Sequence, residues 1–297
     1  MVSARRSGIL LGFPEYRDPA RDLAAAAGLD FAEVDVHPFP DGESRIRLPE
    51  NLPERVFICR SLNQPNQKLV ELVLAASTAR ALGAGRVGLV APYLCYMRQD
   101  KAFHAGEAVS QRIVGKLLAS WFDELVTVDP HLHRVQRLEA AVPVGKAIAL
   151  RATDAMSDYL QGRLTDPILV GPDEESGQWV AAIAQRNDLE FHVARKRRMG
   201  DSDVNVTLPV ANFQGRHVVL VDDIVSTGRT LESASRQLLS HQPASITVMV
   251  THALFVGDAQ QRISDAGADD IWSCDSVLHS TNRIGLASSI AAALVDL

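Results

Sequence analysis

The segment Val218-Val219-Leu220-Val221-Asp222-Asp223-Ile224-Val225-Ser226-Thr227-Gly228-Arg229-Thr230 joins a hydrophobic run to two adjacent acids and then to a turn of small residues that opens a helix. Each part has a chemical use. Backbone N–H groups at a helix N-terminus, with the hydroxyls of Ser226, Thr227 and Thr230, can cradle a phosphate, and Gly228 lets the backbone come close. The carboxylates of Asp222 and Asp223 can accept hydrogen bonds from vicinal hydroxyls. Together they suit a sugar carrying one phosphate, set outside the carboxyl ends of a parallel sheet. The simpler alternative is an acidic turn capping a helix. A second feature is the run Arg195-Lys196-Arg197-Arg198, four cations in a chain of net charge -6. It invites a phosphate partner, against the alternatives of a solvated basic turn or a nucleic-acid patch.

The elements that position these residues are legible as alternation. Short runs rich in β-branched and apolar residues at 56–58, 87–91, 125–128, 168–170, 217–221 and 246–250 read as buried strands. Helical stretches at 69–82, 110–120, 177–187 and 230–239 lie between several of them, the β-α-β order of a parallel sheet. The fold class is α/β. Arg55 and Arg216 each begin strand, loop, helix and strand of nearly equal length, and the strand opening on Asp123-Glu124 answers to one opening on Asp269-Asp270. This echo predicts an ancient duplication with domains 1–145 and 146–297; a single six-stranded domain is the alternative. Where the second copy has Asp222 to Thr230, the first has Arg60-Ser61-Leu62-Asn63-Gln64-Pro65, so only the second keeps an obvious phosphate loop.

Composition sets the outer bounds. With 297 residues, 46% of them hydrophobic and 22% charged, the chain can bury two ordinary cores, and disorder is not expected. The negative charge argues against a general nucleic-acid coat, so no nucleic-acid partner is expected. Cys59, Cys95 and Cys274 lie far apart, without disulfide or zinc spacing. The apolar run 8–13 is too short for a leader core, and nothing approaches the roughly 18 apolar residues of a membrane span. A cytoplasmic protein without a membrane partner is expected.

The loop from Asp222 to Thr230 resembles the phosphoribosyl pyrophosphate signature of type I phosphoribosyltransferases. Further stretches resemble the ribose-phosphate diphosphokinase family, in the family's order along most of the chain. Phe39-Pro40-Asp41-Gly42-Glu43 is similar to the family's adenine loop, which implies that Phe39, Asp41 and Glu43 contact ATP. Pro92-Tyr93 with Arg98-Gln99-Asp100-Lys101 resembles its segment at the nucleotide phosphates, and ordinary phosphoribosyltransferases lack both stretches. His131, in Val128-Asp129-Pro130-His131, and Asp173, in Gly171-Pro172-Asp173, match the family's metal contacts, so Mg2+ is the implied cofactor. The basic run resembles the family's flexible catalytic loop, with Lys196 and Arg198 at the matching positions and mobility expected over 195–203.

The resemblance implies two type I phosphoribosyltransferase-like domains, each a mainly parallel sheet flanked by helices. The N-terminal one would carry the ATP loops, and the C-terminal one the ribose 5-phosphate loop and the catalytic cations. The implied reaction is attack of the anomeric hydroxyl of ribose 5-phosphate on the β-phosphorus of ATP, with AMP leaving. Asp222 and Asp223 would orient the ribose hydroxyls, and Ser226, Thr227, Gly228, Arg229 and Thr230 would hold the 5-phosphate. A homo-oligomer built from dimers is also implied. The chain departs from the family at Glu174-Glu175-Ser176, where a glycine pair is usual, and at Ser226, where many members have an acid. It ends at Leu297 without the tail of the longer regulated members, so strong ADP regulation of their kind is not expected. The alternatives are a catalytically weak regulatory subunit and a phosphoribosyltransferase that consumes phosphoribosyl pyrophosphate.

Overall fold

A computed structural model describes residues 8–132, 134–135, 137–198 and 204–297, apart from the side chains of 197, 198, 204 and 205. The chain divides into two compact units, Met1–Arg151 with Leu286–Leu297, and Ala152–Gly285. The first runs β1 (Ile9–Gly12), α1 (Arg17–Ala27), β2 (Asp30–Glu33), β3 (Asp35–Pro38), β4 (Ser44–Arg47), β5 (Arg55–Cys59), α2 (Pro65–Ala81), β6 (Arg86–Ala91), α3 (Ser110–Ala119), β7 (Glu124–Val128), α4 (Leu138–Ala141) and β8 (Lys146–Leu150). The second runs α5 (Thr153–Leu160), β9 (Ile168–Gly171), α6 (Gly177–Asn187), β10 (Phe191–Val193), β11 (Arg195–Arg198), β12 (Val204–Thr207), β13 (His217–Val225), α7 (Arg229–Leu239), β14 (Ser245–Ala253), α8 (Ala259–Asp265), β15 (Asp270–Cys274) and β16 (Asn282–Ile284). Helix α9 (Ala287–Val295) belongs to the first unit, where it packs on α1, β7 and β8.

Each unit is built on a six-stranded sheet, ordered β2-β1-β5-β6-β7-β8 in the first and β10-β9-β13-β14-β15-β16 in the second. Every pairing within these sheets is parallel. The described antiparallel pairs are the hairpins β3–β4 and β11–β12. Parallel strands are covered on both faces, which is why β1, β7 and β9 are buried along their whole length and β1 and β9 read as unbroken apolar runs. The shared strand order is what a duplication leaves behind. The expected cut after residue 145 would strip β8 from the sheet it completes, and it would not return 286–297 to the first unit.

In each sheet the first strand leads by a crossover to an edge, and the strand that follows beside it leads the other way. The connections from β1 and β5, and from β9 and β13, therefore diverge and leave a crevice at their carboxyl ends, where open α/β sheets bind ligands. The two crevices are filled differently. In the first unit Arg60, only 4% exposed, closes it. Its guanidinium donates to Glu15 at 2.7 Å, pairs with Glu71 at 2.6 Å and lies 3.8 Å over the Phe13 ring. Lys68 donates Nζ to the Ser61 carbonyl at 2.7 Å and to Asn63 Oδ1 at 2.8 Å, so the turn folds around a cation. Burial depresses the Lys68 ammonium against the pull of Glu15. Burial alone would raise Glu71, but hydrogen bonds from Ser44, Arg60 and Gln67 hold it below the usual carboxylate range.

Candidate active site

In the second unit the crevice carries opposite chemistry. Strands β9 and β13 pair with Leu220 opposite Val170, so Asp173 beyond β9 and the Asp222-Asp223 pair late in β13 reach the same end of the sheet. Val193 of β10 lies opposite Gly171, and the chain then enters β11, which carries Lys196 Nζ to 3.0 Å from Asp173 Oδ2. Asp173 and Asp223 are buried. Asp222 reaches solvent in part, but the protein packed around it costs the anion hydration. With the charges of Asp223 and Asp173, this holds its carboxyl well above the usual range, and Lys196 offsets only part of the effect.

The departure at 174–176 finds a structural reason. Glu174 and Glu175 are exposed, whereas Ser176 is fully buried. Ser176 donates its N–H to Asp173 Oδ1 at 3.1 Å and its hydroxyl to the Asp173 carbonyl at 2.6 Å, closing the turn that a glycine pair would otherwise make. A Cβ on Gly171, the last residue of β9, would stand 2.5 Å from the Ser176 hydroxyl, so the glycine leaves the space that Ser176 occupies.

The loop expected to hold phosphate begins where β13 ends. Gly228 takes φ +73° as the residue capping α7, and a Cβ there would lie 2.9 Å from Ile263 of α8. Among the described residues, the N–H groups of Ser226, Thr227 and Gly228 donate to no backbone carbonyl. Three unengaged donors at the start of an 11-residue helix form an anion-binding concavity. Thr227 and Arg229 are exposed, and Ser226 and Thr230 are partly so.

The remaining expected residues lie in the first unit. Phe39, Asp41 and Glu43 form the exposed turn of the β3–β4 hairpin, where Phe39 donates its N–H to the Glu43 carbonyl at 2.7 Å and stacks edge-on to His37. Ser44 fastens this hairpin to Glu71 of α2. Arg98, Gln99, Asp100 and Lys101 follow β6, and His131 follows β7. Arg134 joins these two loops through a 2.6 Å bond to the buried Asp100, while Gln99 accepts from Ser110 at the start of α3. Arg98 and Lys101 are exposed. Asp129 and His131 both take positive φ, +37° and +41°, a costly backbone for non-glycine residues that gathers at functional loops.

The expected catalytic loop is corrected in part. Arg195–Arg198 is strand β11, with Lys196 opposite Val206 of β12, and not a loop. The side chain of Arg198 lies outside the described residues, as do 199–203, on which part of the expected mobility falls. Among the described residues no three His, Cys, Asp or Glu side chains are grouped to hold a metal alone. Sequence reasoning missed the plug formed by Arg60, Lys68 and Glu71, the tie through Arg134, and Arg262 beneath the turn at Thr227. None carries a local signal, because each depends on a partner distant in the chain.

Comparison with known proteins gives this geometry a setting. Residues 9–121 match the family model of the N-terminal domain of ribose phosphate pyrophosphokinase, and residues 142–285 match that of the phosphoribosyl transferase domain. A ribose-phosphate pyrophosphokinase of Methanopyrus kandleri is 32% identical over 100% of this chain and 99% of that protein. Ribose-phosphate pyrophosphokinase 2 of Archaeoglobus fulgidus is 34% identical over 92% of this chain and 94% of its own. The crystal structure of phosphoribosylpyrophosphate synthetase from Mycobacterium smegmatis shares the fold, with a TM-score of 0.82 at 21% identity over 97% of this chain and 98% of that one. Matched in both halves and in order, and with relatives alike along nearly its whole length, the chain belongs to the ribose-phosphate pyrophosphokinase family.

Proposed function

We propose that the chain transfers the diphosphoryl group of ATP to the anomeric hydroxyl of ribose 5-phosphate, giving phosphoribosyl pyrophosphate and AMP. The observation that carries this reading is the second-unit crevice, where Asp222 and Asp223 stand beside a loop with unengaged N–H donors. That pairing suits a ribose with one phosphate. A phosphoribosyltransferase reading would leave the matched residues 9–121, with Phe39 and Arg98 to Lys101, without a use. A silent regulatory subunit would not need Lys196 held at Asp173.

The chemistry asks for positioning and charge neutralisation more than covalent catalysis. Asp222 and Asp223 accept hydrogen bonds from the ribose hydroxyls, and Ser226, Thr227, Gly228, Arg229 and Thr230 hold the 5-phosphate. Phe39, Asp41 and Glu43 receive the adenine, and Arg98, Gln99, Asp100 and Lys101 the nucleotide phosphates. Lys196, with Arg198, neutralises charge as the diphosphoryl group moves. Mg2+ would be held in the first unit by the His131 ring nitrogen, and Asp173 would offer a separate metal contact in the second, its carboxylate suiting a hard ion that keeps water and substrate oxygens in its shell. When bound it supplies charge neutralisation at the ATP oxygens. The protein works in the cytoplasm as a homo-oligomer built from dimers; among the described residues no helix is long and apolar enough to cross a membrane.

The test is to mix the purified chain with ATP, Mg2+ and ribose 5-phosphate and to follow AMP and phosphoribosyl pyrophosphate together by phosphorus NMR. Both products should appear in equal amounts and vanish in Asp223→Ala. ATP binding without either product would sink the reading.

A further inference from the structure

A loop that offers its N–H groups to an anion must point its carbonyls away, and each of those carbonyls then needs a donor behind it. In this chain four successive carbonyls are tied. Val225 accepts from Leu254 at 3.0 Å and from Phe255 at 3.2 Å, Ser226 accepts from Val256 at 2.9 Å, and Gly228 accepts from Glu232 of α7 at 2.8 Å. Those ties are backbone to backbone. The remaining carbonyl, Thr227, lies at the middle of the turn and accepts from a side chain, Arg262 Nη2, at 2.6 Å.

Arg262 is itself clamped. It sits on α8, whose Ala259 and Ile263 press on Gly228 from below. One of its amino groups bonds Asp258, the residue that caps the start of that helix, and its Nε stands 3.4 Å from Glu232 Oε2, an ion pair without hydrogen-bond geometry. Its side chain is 26% exposed. Two carboxylates thus aim a planar cation whose third face meets the Thr227 carbonyl. Rotation of that peptide would turn its carbonyl toward the anion, where it would repel phosphate.

We propose that Arg262 is a positioning residue for the sugar-phosphate loop, fixing the Thr227 peptide so that the N–H groups from Ser226 to Gly228 converge on the phosphate. It touches no substrate atom. The inference rests on the reading of this loop as the 5-phosphate site. It predicts a loss confined to one substrate, because the ATP-contacting residues of the proposed function lie in the other unit.

Calorimetry on the full chain, with ribose 5-phosphate and ATP titrated separately, tests this in wild type, Arg262→Gln and Arg262→Lys. The glutamine variant should weaken ribose 5-phosphate binding about tenfold, the scale of one charge-assisted hydrogen bond, with ATP binding and melting temperature nearly unchanged. The lysine variant should recover part of the loss. Unchanged ribose 5-phosphate affinity in Arg262→Gln would overturn the proposal, and so would a parallel loss of both ligands with the melting temperature, which marks a merely structural role. Should Arg262→Gln not fold, Asp258→Asn decides, since it loosens the clamp and keeps the donor; undiminished ribose 5-phosphate affinity there overturns the idea as well. A wild type that binds ribose 5-phosphate and ATP but forms no product defeats the proposed reaction alone, and the variants still decide the role of Arg262.

Discussion

At the residue scale, the crevice of the second unit sets Asp173, Asp222 and Asp223 against Lys196, and Asp222 bears most of the imbalance. A carboxyl whose pKa rises on folding binds its proton more tightly in the folded chain. The stability it contributes is therefore full below its ordinary value of 3.8 and is lost as pH rises through the raised, folded value. Above that window the ionised group destabilises the fold, which is how a binding site stores electrostatic strain. Asp222→Asn should raise the melting temperature at pH 8 by a few degrees, give no gain near pH 4 and lower turnover. Melting scans at the two pH values check this, and an unchanged or lower melting temperature at pH 8 would refute it. Asp222 and Asp223 were legible because adjacent acids at a strand's end have little use in a core. The approach of Lys196 to Asp173 was not, since it spans 23 residues and depends on β10 lying beside β9.

At the scale of elements, one strand order hosts two different crevices. Where β13 carries two acids near its end and leads to a loop with open donors, β5 leads straight to Arg60, which fills the corresponding space together with Glu15 and Phe13. The sequence comparison of the two loops already showed that one copy lacks the phosphate turn. It did not show that the space is plugged, because Glu15 and Glu71 lie on opposite sides of Arg60 in the chain. The plug predicts a large penalty when it is broken on one side. Arg60→Met leaves Glu71, which is 1% exposed, without its ion pair, and should cost about 3–5 kcal/mol. Adding Glu71→Gln should recover much of this, as a neutral amide keeps its bonds to Ser44 and Gln67. Chemical denaturation of the single and double variants measures both effects; equal stability of Arg60→Met and wild type would show that the plug is dispensable. The basic run teaches a related lesson at this scale: four cations in a row read as a loop, yet pairing of Arg195–Arg198 with Val204–Thr207 makes a hairpin arm of them.

At the scale of the molecule, the proposed assembly has a surface to point to. Val70 and Leu74 of α2, and Ile113 and Leu117 of α3, are 61%, 39%, 60% and 40% exposed, each pair spaced one helical turn apart. The two helices are successive right-handed crossovers and so cover the same face of the first sheet. Apolar side chains exposed on one face of a sheet are candidates for an interface. Light scattering should give wild type a mass of at least two chains, and the double change Val70→Glu with Ile113→Glu should lower it while leaving the melting temperature close to wild type, because neither side chain belongs to the core. A monomeric wild type would remove the dimer proposal.

Local order was the part that sequence alone determined. Apolar runs buried on both faces announced the six central strands, and helical stretches announced the main crossovers between them. The motif from Asp222 to Thr230 announced a strand, a turn and a helix start with two acids beside them, because that arrangement is contiguous in the chain. Tertiary structure decided everything that joins distant residues. It placed α9 with the first unit, set Arg262 behind Thr227 across 35 residues, and put Ser176 in the space opened by Gly171. The physical reason is common to all three. Backbone propensity and hydrophobic period act over a few residues, whereas a buried hydrogen bond or ion pair is decided by whichever partner the sheet order brings within about 3 Å.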